Sequence, residues 1–234
     1  MSDDPLIELL ILYLTTPSSN FYLSKLIQQS SSPVLEPLSI DNISLGNQSI
    51  LGVKLSLKLQ NAEVAGLSSI QIKETAGKPD IQVNGNRVTF EAQHPNTQSP
   101  PIGVPPILTI NSGFIVTPES GPEITGTIVI TVNAFSIQGV FSAASSDGHA
   151  DKVIIDFKSL DMNTQATPDN ININLKIHSA FSSFINQILK QPPILEKIVD
   201  GIKNKLNAEN VLSSISQQAT KAARSALSSS RLGK

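Results

Sequence analysis

Between residues 39 and 177 the apolar residues of this chain recur at every second position, and after residue 179 they recur at every third or fourth. That change of period limits the fold more than any other feature. Leu51, Val53, Leu55, Leu57 and Leu59 alternate with Gly52, Lys54, Ser56, Lys58 and Gln60. Such a run predicts an antiparallel strand with one buried and one wetted face. Val64, Leu67, Ile70 and Ile72 continue it beyond Asn61. Further strands are expected over 107–117, 123–132, 135–144, 152–160 and 171–177. Gly121-Pro122 and Asp147-Gly148 supply turns between them. Asn84-Gly85, between Ile81/Val83 and Val88/Phe90, predicts a tight hairpin of type I′. The proline-rich stretch 95–106 reads as a surface loop.

Helices are expected at both ends. Residues 3–16 carry Asp3 or Asp4 as a cap and Pro5 in the first turn. A shorter helix is expected within Phe21–Gln29, followed by a loop with prolines at 33 and 37. In the C-terminal part, Phe181, Phe184, Ile185, Ile188 and Leu189 share one face. Pro192-Pro193 interrupts that helix and can restart it. Leu195, Ile198, Val199, Ile202 and Leu206 carry the stripe on. Residues 211–227 are rich in Ala and Ser and read as a helical extension, with 228–234 as a frayed tail. The expected organisation is a single domain over 1–210 plus that extension.

Two segments echo one another. LSLKLQNAEVAGLSSIQI (55–72) and IVITVNAFSIQGVFSAAS (128–145) each hold an alternating strand, then Asn-Ala, then a Gly followed by an aliphatic residue. Asn and Gly inside such a run fit a bend or bulge. Each segment then reads as one long strand that curves the sheet, or as a chance likeness of β-rich sequence.

Composition narrows the function. The net charge is −2, aromatics are 4% and Trp is absent, so neither a basic stripe nor a stacking platform for nucleic acid is present. With no Cys, disulfides, thiolate zinc sites and thiol nucleophiles are excluded. His94, His149 and His178 have no zinc-ligand spacing. Asp147-Gly148-His149-Ala150-Asp151 reads as solvated turn chemistry. The nucleophile-elbow, P-loop and dinucleotide fingerprints are all missing. Asp156 and Asp161 cannot be paired for acid–base work from sequence. The reading is therefore a non-enzymatic protein without a cofactor or metal.

The apolar run 6–14 follows Asp3 and Asp4 and contains Glu8, unlike a signal peptide. A cytoplasmic protein, or one exported without such a signal, is expected. The sequons at Asn42 and Asn47 are then idle. Lys221, Arg224, Arg231 and Lys234 could meet anionic lipid, or simply suit a helix C-terminus.

The order of elements, with Asn61-Ala62-Glu63-Val64-Ala65-Gly66-Leu67 in a bent strand and Ile171–Ile177 leading into FSSFINQILKQPPILEKIVDGIKNKLN, resembles the tubular lipid-binding (TULIP) superfamily. That group includes bactericidal/permeability-increasing proteins, juvenile-hormone-binding and takeout proteins, mite group 7 allergens and bacterial accessory proteins of clostridial neurotoxin gene clusters. The lack of Cys and of a signal resembles the bacterial branch. The resemblance implies an α+β fold, with a long, strongly bent antiparallel sheet wrapped around a long C-terminal helix and an N-terminal helix beside it. It also implies a lipid or other apolar ligand between sheet and helix, with Leu55, Leu57, Val129, Phe135, Phe181, Ile185 and Ile188 as candidate lining. The rival reading is a structural or interaction accessory protein of the same fold with a filled core, associated with a toxin or secretion system. A protein partner or a membrane surface would then be its target.

Overall fold

The computed structural model describes residues 5–50, 53–94, 108–145, 150–177 and 182–231. Helix α1 (Pro5–Thr15) buries Ile7, Leu10 and Leu14, which lie on one face. The Thr15 and Thr16 hydroxyls donate back to the Ile11 and Leu12 carbonyls and close its last turn. The six-residue α2 (Leu23–Gln28) buries Leu23, Leu26 and Ile27.

Strands β1 (Leu38–Ile50) and β2 (Val53–Ala65) pair along their whole length. A 3₁₀ turn at Leu67–Ser69 leads to the short β3 (Gln71–Ile72), and β4 (Glu74–Thr75) pairs with β5 (Lys78–Pro79) in a small separate hairpin. Next come β6 (Ile81–Asn84), β7 (Arg87–Gln93), β8 (Leu108–Pro118), β9 (Ile124–Val132), β10 (Ser136–Ser145), β11 (Val153–Asn163) and β12 (Ile171–Ile177). They form two antiparallel sheets. Sheet one has the order β1-β2-β8-β9-β12, and sheet two the order β11-β10-β7-β3, with β6 also on β7.

The expected single bent sheet is thus two sheets that exchange strands. The chain crosses between them after β2, after β7, after β9 and after β11. Both echo segments are crossings from sheet one to sheet two. Their Asn-Ala pairs act differently. Asn61, at φ 51°, sits inside β2 where the register against β8 shifts between Gln60 and Glu63. Asn133 stands at the crossing itself, between β9 and β10. Their glycines also differ. Gly66 takes φ 101° at the first crossing. Gly139 lies opposite Phe90, where a Cβ would come within 2.1 Å of the ring.

The hairpin between β6 and β7 is present, shifted by one residue. Asn84 pairs with Arg87, so Gly85 and Asn86 form the loop. Gly85 heads the turn at φ 59°, which is the II′ arrangement instead of I′. Ile81 and Val83 on β6 are half-buried, whereas Val88 and Phe90 on β7 are buried.

The C-terminal part holds three helices. α3 (Ser182–Leu189) and α4 (Pro192–Leu206) are separated at Lys190 and Gln191, as the double proline predicts. α3 packs on β12, and α4 packs on both β1 and β11. Gly201 lets α4 close on β1, since a Cβ there would lie 2.8 Å from Ile43. The third, α5 (Glu209–Arg231), packs along β11 and meets α1 and α2. Val211, Ile215, Ala219, Ala222, Ala223 and Leu227 are buried in the common core. The stretch after 210 is therefore part of the core packing and not an appendage. Its small residues hide its amphipathicity, because Ala and Ser contribute little to a hydrophobic stripe even where they are covered. Phe21, Phe90, Phe141 and Phe157 meet under sheet two, with Phe141 and Phe157 5.3 Å apart. The proline-rich stretch, the Asp147-Gly148 turn, His149 and His178 lie outside the described residues.

Candidate ligand site

Inward-facing residues fix where an apolar ligand would sit. On sheet one these are Leu57, Leu59, Ala62 and Val64 of β2, Leu108, Ile110, Phe114 and Val116 of β8, and Ile128, Ile130 and Val132 of β9. Leu57, Phe135, Ile185 and Ile188 of the candidate lining are buried in this common core. Leu55 shares the inward face of Leu57 but is half-buried near the end of β2, opposite Pro118. Phe181 lies outside the described residues.

Val129 requires a correction. It stands on the opposite face of sheet one from Ile128 and Ile130, next to Asn111 and Asn174. Three aliphatic residues in succession leave the phase of the alternation ambiguous, and the register of β9 turns the even positions inward.

Sheet two, α2 and α4 converge on an enclosed cavity of about 10 Å³. It is lined by Leu23 and Ile27 of α2, by Leu35, Leu67 and Ile70, by Ile137 of β10, Leu160 of β11 and Leu206 of α4. Every lining residue is aliphatic. None of the six described candidate residues lines it. The sequence places Leu23, Ile27 and Leu206 on helical stripes, but no period brings them to Ile137 and Leu160, which are far away in the chain. The rim is held by polar contacts. The Glu36 carboxylate accepts from the backbone N–H groups of Gly66 and Ser68, both at 2.7 Å. The Ser24 hydroxyl donates to the Ser68 carbonyl at 2.5 Å.

Larger concavities lie outside the core. A groove of about 910 Å³ runs between β11 and α5, one of about 710 Å³ between β1 and α4, and one of about 590 Å³ at the crossing of β9 into β10. Polar side chains of the second include Asp41, Asn42, Lys197, Asp200 and Asn204, beside Ile40 and Ile43. Lys197 donates there to the Leu45 carbonyl at 2.9 Å. The third is lined by amides and hydroxyls such as Asn133, Asn163, Thr164 and Asn170.

Among the described residues, Lys73 and Tyr22 are displaced from their ordinary values, and neither lines the cavity. A hydrogen bond to Glu91, 2.9 Å away, is the main cause that raises the ammonium of Lys73, with the charges of Glu91 and Asp80 adding to it. Burial raises the phenol of Tyr22. Among the described residues no group of three His, Asp or Glu is placed to hold a metal. No described helix is long and apolar enough to cross a membrane.

No protein-family model matches the sequence. No curated protein matches it either. Among solved structures, the chain is similar to Takeout 1 of Epiphyas postvittana, with 13% identity and a TM-score of 0.49, over 82% of this chain and 87% of that one. It is also similar to a lipopolysaccharide binding protein, with 12% identity and a TM-score of 0.32, over 73% of this chain and 34% of that one. This chain therefore spans about a third of the second protein's length. With helices at both ends and antiparallel sheets between them, the chain has the mixed α+β build expected from the sequence.

Proposed function

We propose that this chain is a non-enzymatic module that binds a lipid or other apolar ligand at the seam where sheet two, α2 and α4 meet. The observation that carries the reading is the wholly aliphatic lining of that seam, contributed by separate elements of the fold. A site of this kind draws its affinity from burying methylenes, at about 0.8 kcal/mol each. Binding sites for small molecules usually enclose roughly 300–1,000 Å³. The cavity is about 10 Å³, so the seam must part for a ligand to enter. α2 brings two of the lining residues and is only six residues long. So short a helix is held by its packing and not by its own hydrogen bonds.

The test is a titration with fatty acids of increasing length, together with native mass spectrometry of gently purified protein. Affinity should rise with chain length until the seam is full and should change little with salt. Ile137→Trp should lower uptake, and the fatty acid that fills the seam should raise the melting temperature of the wild type. Protein that carries no lipid and takes up none at any length defeats the reading. The small volume favours a second reading, an interaction or structural accessory protein with a filled core. In that case Ile137→Trp overpacks the core and costs about 1–3 kcal/mol of stability.

A further inference from the structure

β11 is the last strand of sheet two, with β10 on one side only. An edge of this kind presents unpaired backbone groups that template the addition of another strand. Here the backbone groups along that edge are met by side chains. Thr220 of α5 accepts from the Ile155 N–H at 2.9 Å and donates to the Ile155 carbonyl at 3.2 Å. Asn207, just beyond α4, does the same for Leu160, accepting from its N–H at 2.9 Å and donating to its carbonyl at 3.0 Å. Between them Ser216 accepts from the Phe157 N–H at 2.8 Å. Beyond them Arg224 donates through Nε to the Val153 carbonyl at 2.8 Å.

The spacing explains why a helix can do this. Ser216, Thr220 and Arg224 are four residues apart and lie on one stripe, rising about 6 Å per step. Phe157, Ile155 and Val153 are two residues apart on a strand, about 6.6 Å per step. The two repeats nearly match, and helix and strand run in opposite directions. The partner after Phe157 is Leu160 instead of Ser159, because β11 bulges there: Val140 pairs with Ser159 and Phe141 with Phe157. The bulge shifts the phase of the outward-facing backbone by one residue. Thr220 and Asn207 each exchange both a donor and an acceptor with one residue, as a hydrogen-bonded pair does in an antiparallel sheet.

We propose that the Asn207–Ser216–Thr220–Arg224 ladder is an edge cap, standing where a further strand would pair and closing β11 to strand addition by a second copy of this chain. The apolar part of the strand it guards lies toward Val153. Ile154, on the outward face of β11, is 57% exposed between the β-branched Val153 and Ile155, while Asp156 and Lys158, next on that face, pair with one another.

The test removes the hydroxyls and keeps the shape. The full chain carrying Ser216→Ala and Thr220→Val is compared with the wild type by sedimentation over a range of concentration, and by amide hydrogen exchange at Ile155 and Phe157. The cap predicts exchange at both amides faster by about tenfold or more, and self-association that grows with concentration beyond that of the wild type. Adding Ile154→Lys should reverse the association, since a charge on an edge strand opposes pairing. Thr220→Val alone, which leaves the other rungs in place, should show a smaller shift in the same direction and serves where the double variant does not fold. Wild-type association behaviour in these variants overturns the proposal. So does association that Ile154→Lys leaves unchanged.

Discussion

The two crossings marked by the echo segments solve one problem with different chemistry. Where the chain leaves β2, the N–H groups of Gly66 and Ser68 have no strand beside them, and the carboxylate of Glu36 accepts both. Where it leaves β9, the backbone of Ala134 is in the same position, and the neutral amide of Asn170 serves it. Asn170 accepts from the Ala134 N–H at 2.8 Å and donates to its carbonyl at 3.0 Å. Thr164 also donates to that carbonyl, at 2.6 Å. Backbone that passes between sheets must find partners elsewhere, because an unpaired buried N–H or carbonyl is costly. The first crossing needs two acceptors and uses a charge. The second needs one donor and one acceptor and uses an amide, the side chain that offers both.

The comparison can be broken most directly at Glu36. Glu36→Ala strands two donors, and bonds to a charged partner are stronger than neutral ones. The expected loss is about 2–3 kcal/mol, read from the midpoint of chemical denaturation. Asn170→Ala should cost somewhat less, about 2 kcal/mol, because its bonds are neutral and Thr164 still reaches the Ala134 carbonyl. If Asn170→Ala proves the more damaging of the two, charge is not what distinguishes the crossings. Gly66→Ala asks whether backbone geometry or hydrogen bonding limits the first crossing. At φ 101° a Cβ is strained, and about 1–2 kcal/mol should be lost. The smallest effect, about 1 kcal/mol, is expected for Gly85→Val. That glycine lies in a turn whose flanking residues Asn84 and Arg87 already pair, and nothing stands within 4 Å of an added Cβ. A thermal melt of the Gly85→Val protein that matches the wild type would show that the turn accommodates the side chain by changing type.

Much of the layout was legible in the sequence. The alternation of Leu57 and Leu59 with Lys58 fixes the inward face of β2, and the double proline at 192 marks the break between α3 and α4. Ile171–Ile177 is the strand that its period predicts. Other features were misread for identifiable reasons. Val129 belongs to a run of three aliphatic residues, where no alternation exists to read. The stretch 211–227 reads as an extension because Ala219, Ala222 and Ala223 make a stripe of small side chains, although they are buried. The aliphatic seam was not legible, because its lining comes from α2, a loop, the 3₁₀ turn, strands β10 and β11 of sheet two, and α4.

By itself, the sequence determined the kind of each element and which face of it is apolar, since both follow from a period of two or of 3.6 between near neighbours. Only the tertiary structure decided how many sheets those strands make and what closes their edges and crossings. The partners there are separated by 30 residues for Glu36 and Gly66, 36 for Asn170 and Ala134, and 65 for Thr220 and Ile155. A hydrogen bond across such a distance depends on register, bulges and helix placement together. No local pattern of Ser, Thr, Asn or Glu distinguishes a residue that pairs a distant backbone from one that faces water.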